Sequence, residues 1–553
     1  MNKKEKLKFI AISGTTGATE NFYIYEYENT MIVVDCGVGF PDPEMYGVDL
    51  VIPDFSYVIA NKHKLKGLIV THGHEDHLGA IPFLLKEIKS IPIYTTKLTA
   101  GFIEEKFKDH GIQQKINVFS PEKDKLTLGD FTIDTFRVSH SVPDGVGLAI
   151  HTPQGTCFHV PDYKFDWTSV DGKPFDIQKA ARIASKGVLM MASDALGSTT
   201  QGFTESEIVL EKKIHSIVSN ASGRVFITTV SSNISRMQQI GNVAKKTGRK
   251  VVFVGRSIDS KSSIAEDLGY LHYPKGLVIN PHQARKMKDN KLIYIIAGCY
   301  GQPGSALYRA TMGEHRFLQI DEKDTVVFSA DPAPPGSKVL VDFLVDRLFE
   351  IGVDVHYYDL QENLHVSGHG SMEDIKLLMG LVKPRYYIPI GGTVRHMHAY
   401  SKIAQSMGAD KRQILELLPG SVVEFEDGKA KLGKKLRVKE VLVDGLGVGD
   451  VGNLVLRDRQ KLSQDGFLIA VINVHKEESK IVGKPEFITR GFVFEKDQKE
   501  ILEKAVNKLS KALSSNKVVK PHALRTKTVD VLEKFFYEEL HRRPMIVPLV
   551  MEI

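Results

Sequence analysis

Residues 67–77 read GLIVTHGHEDH, an apolar run of strand type that breaks without a spacer into His72, His74, Asp76 and His77. Few folds tolerate this: the strand must end where polar side chains from neighbouring strands converge on a shared ligand. His72 and His74 are two residues apart, so an extended segment points both the same way and lets them hold one ion. Asp76 and His77 follow at the start of a helix and can reach a second ion nearby. Imidazole and carboxylate donors suit zinc or manganese. Two divalent ions ~3.5–4 Å apart activate water and support in-line displacement at phosphorus. Such a pair could equally hydrolyse a thioester or a lactam, so the ligand set alone does not choose the substrate.

Three further strand ends carry matching residues. His140 follows DTFRVS and completes the first ion's ligands; Asp162 follows the CFHV strand and bridges both ions. Asp35, closing MIVVD, orients a ligand histidine from behind. Singly, each reads as a turn residue. In order, around the histidine motif, they read as one site.

The first 206 residues alternate strands and helices in the manner of a layered α/β sandwich. MIVVDCG, GLIVT, IPIYTT and FTIDTFRVSH read as strands, LGAIPFLLKEI as a helix, and LAIHTPQGTCFHVPD as a hairpin turning at Pro153–Gly155. From about residue 207 the pattern becomes repeated βα units (GRVFITTVSSN, a helix around SRMQQIGNVAKKTG, RKVVFVG, KLIYIIAG), which predicts a parallel, doubly wound sheet. Site-type residues return in LHVSGHG at 364–370, so the block 207–362 reads as one domain inserted into another. Residues 363–432 then complete the first domain. The stretch 421–440 is charged and reads as weakly structured, with a linker at 433–447. Residues 448–553 form a small α+β domain with strands FLIAVINVH and GFVFE and helices ILEKAVNKLSKAL and VDVLEKFFYEELHRR.

At 553 residues the chain exceeds what one hydrophobic core supports. No apolar run approaches the ~20 residues that span a bilayer. The start, MNKKEKLKFIAISG, reads as a charged tail entering a first strand and not as a signal peptide. Cys36, Cys157 and Cys299 form no CxxC pair, which argues against a disulfide framework or a thiolate zinc site and for the cytoplasm. A net charge of +6 permits a polyanionic partner without demonstrating one.

The residues now assembled resemble the ribonuclease J family, within the β-CASP group of metallo-β-lactamase nucleases. The likeness extends to GVDLVIPDFSYV (47–58), THGHEDHLGAIPFLL, LHVSGHGSMEDIKLL (364–378), VDGLGVGDVGNLVLRDR (443–459), ITRGFVF (488–494) and RRPMIVPLVMEI (542–553). The resemblance implies a metallo-β-lactamase αββα sandwich with an inserted β-CASP domain that closes over the metals to form an RNA channel. It implies RNA as substrate, cut as an endonuclease and as a 5′-to-3′ exonuclease favouring a 5′-monophosphate. It places nucleotide and phosphate contacts at Ser231, Ser232, Asn233, His365, Ser367, Gly368 and His369, with His369 assisting proton transfer to the leaving group. It further implies homodimers or homotetramers formed through the C-terminal domain, and membership of RNA-degradation assemblies.

The chain departs from the family at IPIGGTVRHMH (388–398), where the usual string is IPVHGE. Gly391 stands in the place of a metal-binding histidine and Thr393 in that of a glutamate. Asp76, His77 and Asp162 then remain for the second ion, which is expected to bind more weakly. His396 or His398 could substitute only if their loop folded back. Other departures are Asp194 in SDALGST, Ser235 in SSNISR, CYGQPGSAL (299–307) and SADPAPPGSK (329–338). Three readings follow: an active two-metal ribonuclease using Asp76, Asp162 and His369; a weakly active or non-catalytic RNA-binding subunit that partners an active paralogue; and a small-molecule metallohydrolase. The last does not account for the inserted block or the C-terminal region.

Overall fold

The computed structural model describes residues 5–332, 334, 336–358, 364–445, 447–478, 480–492, 498–514 and 521–553. Parts of the GFVFE, VDGLGVGDVGNLVLRDR and SADPAPPGSK strings, and the 362/363 boundary, lie outside these residues.

Two sheets face each other in the first unit. One has eight strands, in the order Lys429–Leu432, Ser421–Glu426, Leu7–Ala11, Tyr23–Tyr27, Thr30–Val34, Leu65–Ile69, Ile93–Thr95, Ile116–Val118. The other has six, in the order Tyr386–Ile390, Met190–Asp194, Gly155–Val160, Val146–Thr152, Phe131–Arg137, Lys125–Leu128. Alternate residues of the two sheets, among them Phe9, Tyr25, Ile32, Ile69, Ile133, Leu148, Met190 and Ile388, interdigitate as the buried core between them. Helices Ile177–Ala184, Met372–Val382 and Val394–Ser406 cover the outer face of the six-stranded sheet through Phe136, Phe158, Ile183, Leu378 and Tyr400. This is an αββα sandwich.

The βα block builds a separate sheet of five parallel strands, Lys250–Val254, Leu292–Ile296, Val225–Thr228, Thr325–Phe328 and Asp354–His356, with its own core. The sandwich strands Met190–Asp194 and Tyr386–Ile390 lie on either side of this block in sequence and pair in parallel with each other.

One expectation fails. Within the stretch read as weakly structured, Ser421–Glu426 and Lys429–Leu432 form a hairpin whose first strand pairs with Leu7–Ala11. The charges that suggested a linker sit on alternate positions, while Val423 and Phe425 are fully buried. Two-residue alternation carries this segment, and the charge count conceals it.

The second unit takes in residues 442–553, together with 41–49. Strands Lys480–Arg490, Phe467–His475 and Met545–Glu552 form one sheet, and helices Gln498–Leu513 and Pro521–Leu540 bury Leu509, Leu532 and Phe536 against Leu468, Ala470 and Ile472. The three cysteines are buried and unpaired. Among the described residues no helix is long and apolar enough to cross a membrane.

Candidate metal centre

The site gathers at the strand ends of the sandwich. Strand Leu65–Ile69 stops, the chain bends at His72 and Gly73 instead of staying extended, and helix Glu75–Leu78 begins after His74 (ψ 150°). Asp35 turns the preceding strand end into a left-handed conformation, with φ 62°. A non-glycine residue held there stores strain, a mark of functional loops. The turn brings Asp35 Oδ2 within 2.8 Å of His77 Nδ1, and its other oxygen accepts the Thr71 N–H at 2.8 Å. With Nδ1 so committed, His77 turns Nε2 toward Asp76 Oδ2 (3.5 Å) and Asp162 Oδ1 (3.4 Å).

Three overlapping sets form here: His72, His74 and His140; His72, His77 and Asp162; and His140, Asp162 and His369, the ligating atoms within each set lying within 4.8 Å of one another. Asp162 Oδ2 is 3.4 Å from His72 Nε2 and 3.5 Å from His140 Nε2, so this carboxylate lies between the histidines. All six residues singled out in the sequence as ligands therefore come together. The donor set fits divalent cations: His72 Nε2 is buried without a hydrogen-bond partner among the described residues, and a buried lone pair left idle is costly unless something binds it. Burial drives the pKa of His74 and of His140 well below the usual imidazole value, keeping both neutral. Burial opposes ionisation of Asp162, but His77, His369 and His72 outweigh it and hold the carboxyl well below its usual range.

The βα block and the segments outside it both support the histidines. Ser232 Oγ is 2.8 Å from His74 Nδ1, whose Nε2 meets Ser141 Oγ at 2.8 Å. His140 Nδ1 donates to Gly368 O at 2.7 Å. A Cβ at Gly368 would lie 2.6 Å from His140 Cε1, so only glycine permits this approach. Glu75 pairs with Lys106 (2.7 Å) and with Lys261 of the block (2.9 Å).

The remaining phosphate and nucleotide candidates divide. Ser367 Oγ accepts the His369 N–H, and Asn233 caps helix Ile234–Thr247 by accepting the Arg236 N–H, so both side chains are occupied locally. Ser231 is half-buried beside Ser232. His365 is 3.7 Å from Asp331, and burial pushes its pKa down to about 4.

Asp194 is the residue whose role the sequence reading missed. Its Oδ2 lies 2.7 Å from His369 Nδ1, and its Oδ1 accepts the Leu196 N–H. Burial alone would lower the His369 pKa, but Asp194 and then Asp162 push it up to about 9. The signal was available: Asp194 closes strand MMASD as Asp35 closes MIVVD.

Gly391 lies directly across from Asp194. Its φ is +68°, and a Cβ there would come within 3.3 Å of Asp194 Oδ1. His396 turns its Nδ1 to the Thr393 N–H and hydroxyl in the capping box that starts helix Val394–Ser406. His398 is exposed and 3.8 Å from Glu416.

An αββα sandwich with this histidine–aspartate cluster and a parallel βα block defines a metallo-β-lactamase-type hydrolase. Family models agree: residues 30–177 match the beta-lactamase superfamily domain, 222–348 the ribonuclease J beta-CASP domain, and 454–553 the ribonuclease J C-terminal domain. The chain is 37% identical over 559 residues to ribonuclease J2 of Bacillus subtilis, covering 100% of both chains. It is 35% identical to ribonuclease J 1 of Streptococcus pyogenes serotype M3, covering 99% of this chain and 98% of that one. A crystal structure of a protein of unknown function from Enterococcus faecalis V583 shares the fold, with a TM-score of 0.53 at 15% identity over 77% of this chain and 100% of that one. The chain belongs to the ribonuclease J family.

Proposed function

We infer that this chain is a hydrolytic, metal-dependent ribonuclease that cleaves RNA phosphodiesters both internally and from the 5′ end, in RNA maturation and decay in the cytoplasm. The observation that carries the reading is the convergence of His72, His74, His77, His140 and Asp162, with the His369–Asp194 pair at its edge. His72, His74 and His140 would hold one divalent ion, and Asp76, His77 and Asp162 a second, zinc or manganese. Bound ions supply water activation and stabilise the charge that develops on phosphorus. The chain supplies the rest. Asp35 fixes the tautomer and ring orientation of His77. Asp194 holds the His369 Nδ1 proton, leaving Nε2, 3.8 Å from Asp162, turned to the reacting group as a proton donor to the leaving oxygen. The half-buried Ser231 and the turn at Ser367–Gly368 line the approach to these groups.

The boundaries 1–206, 207–362, 363–432, 433–447 and 448–553 remain our proposed division into sandwich, inserted β-CASP domain, sandwich, linker and C-terminal domain. We assign dimer or tetramer formation to the C-terminal sheet, where Val547, Leu549 and Met551 alternate as an exposed apolar row, and expect association with RNA-degradation assemblies.

A second reading, a weakly active or non-catalytic partner of an active paralogue, draws on Gly391 and on the local engagement of His396. A single-stranded 5′-monophosphorylated RNA, incubated in Mn²⁺ and in Zn²⁺ with His74→Ala as control, separates the two. Cleavage by the wild type alone establishes the nuclease, and product lengths resolve internal from terminal cutting. RNA binding without cleavage establishes the partner.

A further inference from the structure

Phe40 of the sandwich and Tyr300 of the βα block meet beside the histidine–aspartate cluster. Phe40 ends the segment Cys36–Gly39, which is laced to the histidine motif by bonds from Cys36 N–H to His77 O and from Val38 N–H to Glu75 O. Gly37 lies so close to Asp76 O that no side chain fits there. Tyr300 stands in CYGQPGSAL, a string at which the chain departs from the family. Its loop is pinned by three backbone bonds, Gly301 N–H to Gly298 O, Ser305 N–H to Gln302 O and Leu307 N–H to Ala297 O. Gly301 (φ +70°) packs directly on the Leu340 backbone. Burial foremost, then Cys299 and the carboxylates of Asp76 and Asp331, hold the Tyr300 hydroxyl well above the usual phenol range. It therefore stays protonated, in the field of the motif and of the Asp331–His365 pair. The two rings stand at 76° with centroids 6.5 Å apart. Phe40 is 37% exposed and Tyr300 half-buried. Rings crossed in this way form a corner and not a closed stack, so ring faces remain unspent. A planar group can lie flat on one ring with its edge against the other.

We propose that Phe40 and Tyr300 form a nucleobase platform: one unpaired base of the RNA substrate stacks on the Tyr300 ring with its edge against Phe40. The inference rests on the ribonuclease reading above. A strand whose phosphate reaches Asp76 must carry its bases past this corner, and every base offers a π-face to it. Stacking of this kind tolerates any sequence but requires the base to be unpaired. The corner therefore favours single strands over duplexes at the position it serves. One of its walls comes from the sandwich and the other from the block, so it exists only where the two meet.

The test is fluorescence anisotropy of the full chain in Mn²⁺ with a 3′-labelled single-stranded RNA about ten nucleotides long. Its linkages are phosphorothioates, which resist hydrolysis, and a single abasic position is moved along the strand. The wild type loses about 5- to 150-fold in affinity when the abasic position meets the corner, the worth of one stacked base. Tyr300→Ala binds the intact strand more weakly by a similar factor and no longer distinguishes it from that abasic strand. Tyr300→Phe keeps the ring and keeps the distinction. The backbone bonds that pin the loop need no side chain at residue 300, and Phe40→Ala, which blunts the same distinction, serves should Tyr300→Ala misfold. A wild type that binds every abasic strand as well as the intact one overturns the platform. So does a distinction that persists in both alanine variants, or a Tyr300→Ala chain that weakens intact and abasic strands alike, since a merely structural ring would do that. A wild type that binds no single-stranded RNA overturns the ribonuclease reading itself, a failure visible before any variant is made.

Discussion

Arg236 is fully buried, and replacing it with methionine tests how the Leu364–His369 loop is held. Its guanidinium donates to Glu207 Oε1 from Nε (3.1 Å) and Nη2 (2.6 Å), and to Ser329 O (2.9 Å) and Leu364 O (3.4 Å) from Nη1. Lys164, also buried, lies 3.9 Å from Glu207 Oε2 and donates to Ser367 O at 3.1 Å. Two buried cations sharing one carboxylate therefore hold both ends of Leu364–Ser367, the segment that delivers Gly368 and His369. Methionine fills comparable space but leaves Glu207 charged and poorly paired, which costs about 3–5 kcal/mol. The cost falls on local opening, so hydrogen exchange is the suitable assay. The His369 N–H is protected by Ser367 Oγ (3.0 Å) and the Gly370 N–H by Tyr163 O (2.6 Å). Both should exchange roughly 150- to 5,000-fold faster in Arg236→Met. Adding Glu207→Leu removes the stranded charge and should restore most of the protection. Exchange within three-fold of wild type in the single variant would refute the reasoning, as would a double variant less protected than the single.

Asp194→Asn keeps the bond to the Leu196 N–H but loses the carboxylate that steadies His369. It should lower kcat on RNA about 100-fold with little change in KM, and unchanged turnover would remove Asp194 from the reaction. Glu20 is largely buried near Glu440, and burial foremost pushes its pKa from 4.5 up to about 7. The folded chain holds this proton more tightly than the unfolded one, so the stabilisation is present below pH 4.5 and is lost as pH rises to about 7. Glu20→Gln should match wild type at pH 4 and exceed it at pH 8 by about 1–3 kcal/mol in urea denaturation, after discounting for partial exposure; equal stabilities at pH 8 would contradict this. Chelation should lower the thermal midpoint, since 100-fold excess over Kd contributes about 2.7 kcal/mol to a binding fold. In His72→Ala the chelator should have far less effect, and an equal effect would place the stabilising ion elsewhere.

The histidine–aspartate cluster was legible because its residues lie at strand ends whose apolar runs are unmistakable: GLIVT before His72, MIVV before Asp35, CFHV before Asp162. Local periodicity also separated the sandwich from the parallel βα block. What stayed hidden were contacts between segments far apart in sequence. Asp194 and His369 are 175 residues apart, and Ser232 and His74 are 158 apart. No spacing rule joins such pairs. Asn233 and Ser367 illustrate the converse: polar residues in a motif-like string whose side chains are taken up by a helix cap and a turn. The hairpin Ser421–Leu432 was masked because its lysines and glutamates dominate composition, while the two side chains that dock it, Val423 and Phe425, do not.

The contacts of Ser232 Oγ with His74 and of Gly368 O with His140 carry a thermodynamic consequence. Residue 232 belongs to the βα block itself and residue 368 to the segment that follows it, so the rings proposed to hold the first cation keep their orientation only while both are seated. Cation retention and seating of the block are then linked equilibria, and linkage is reciprocal. Whatever tightens one tightens the other by the same factor. An RNA strand that had to pry these segments apart would loosen the cation as it entered, whereas one that threaded between seated segments would help retain it.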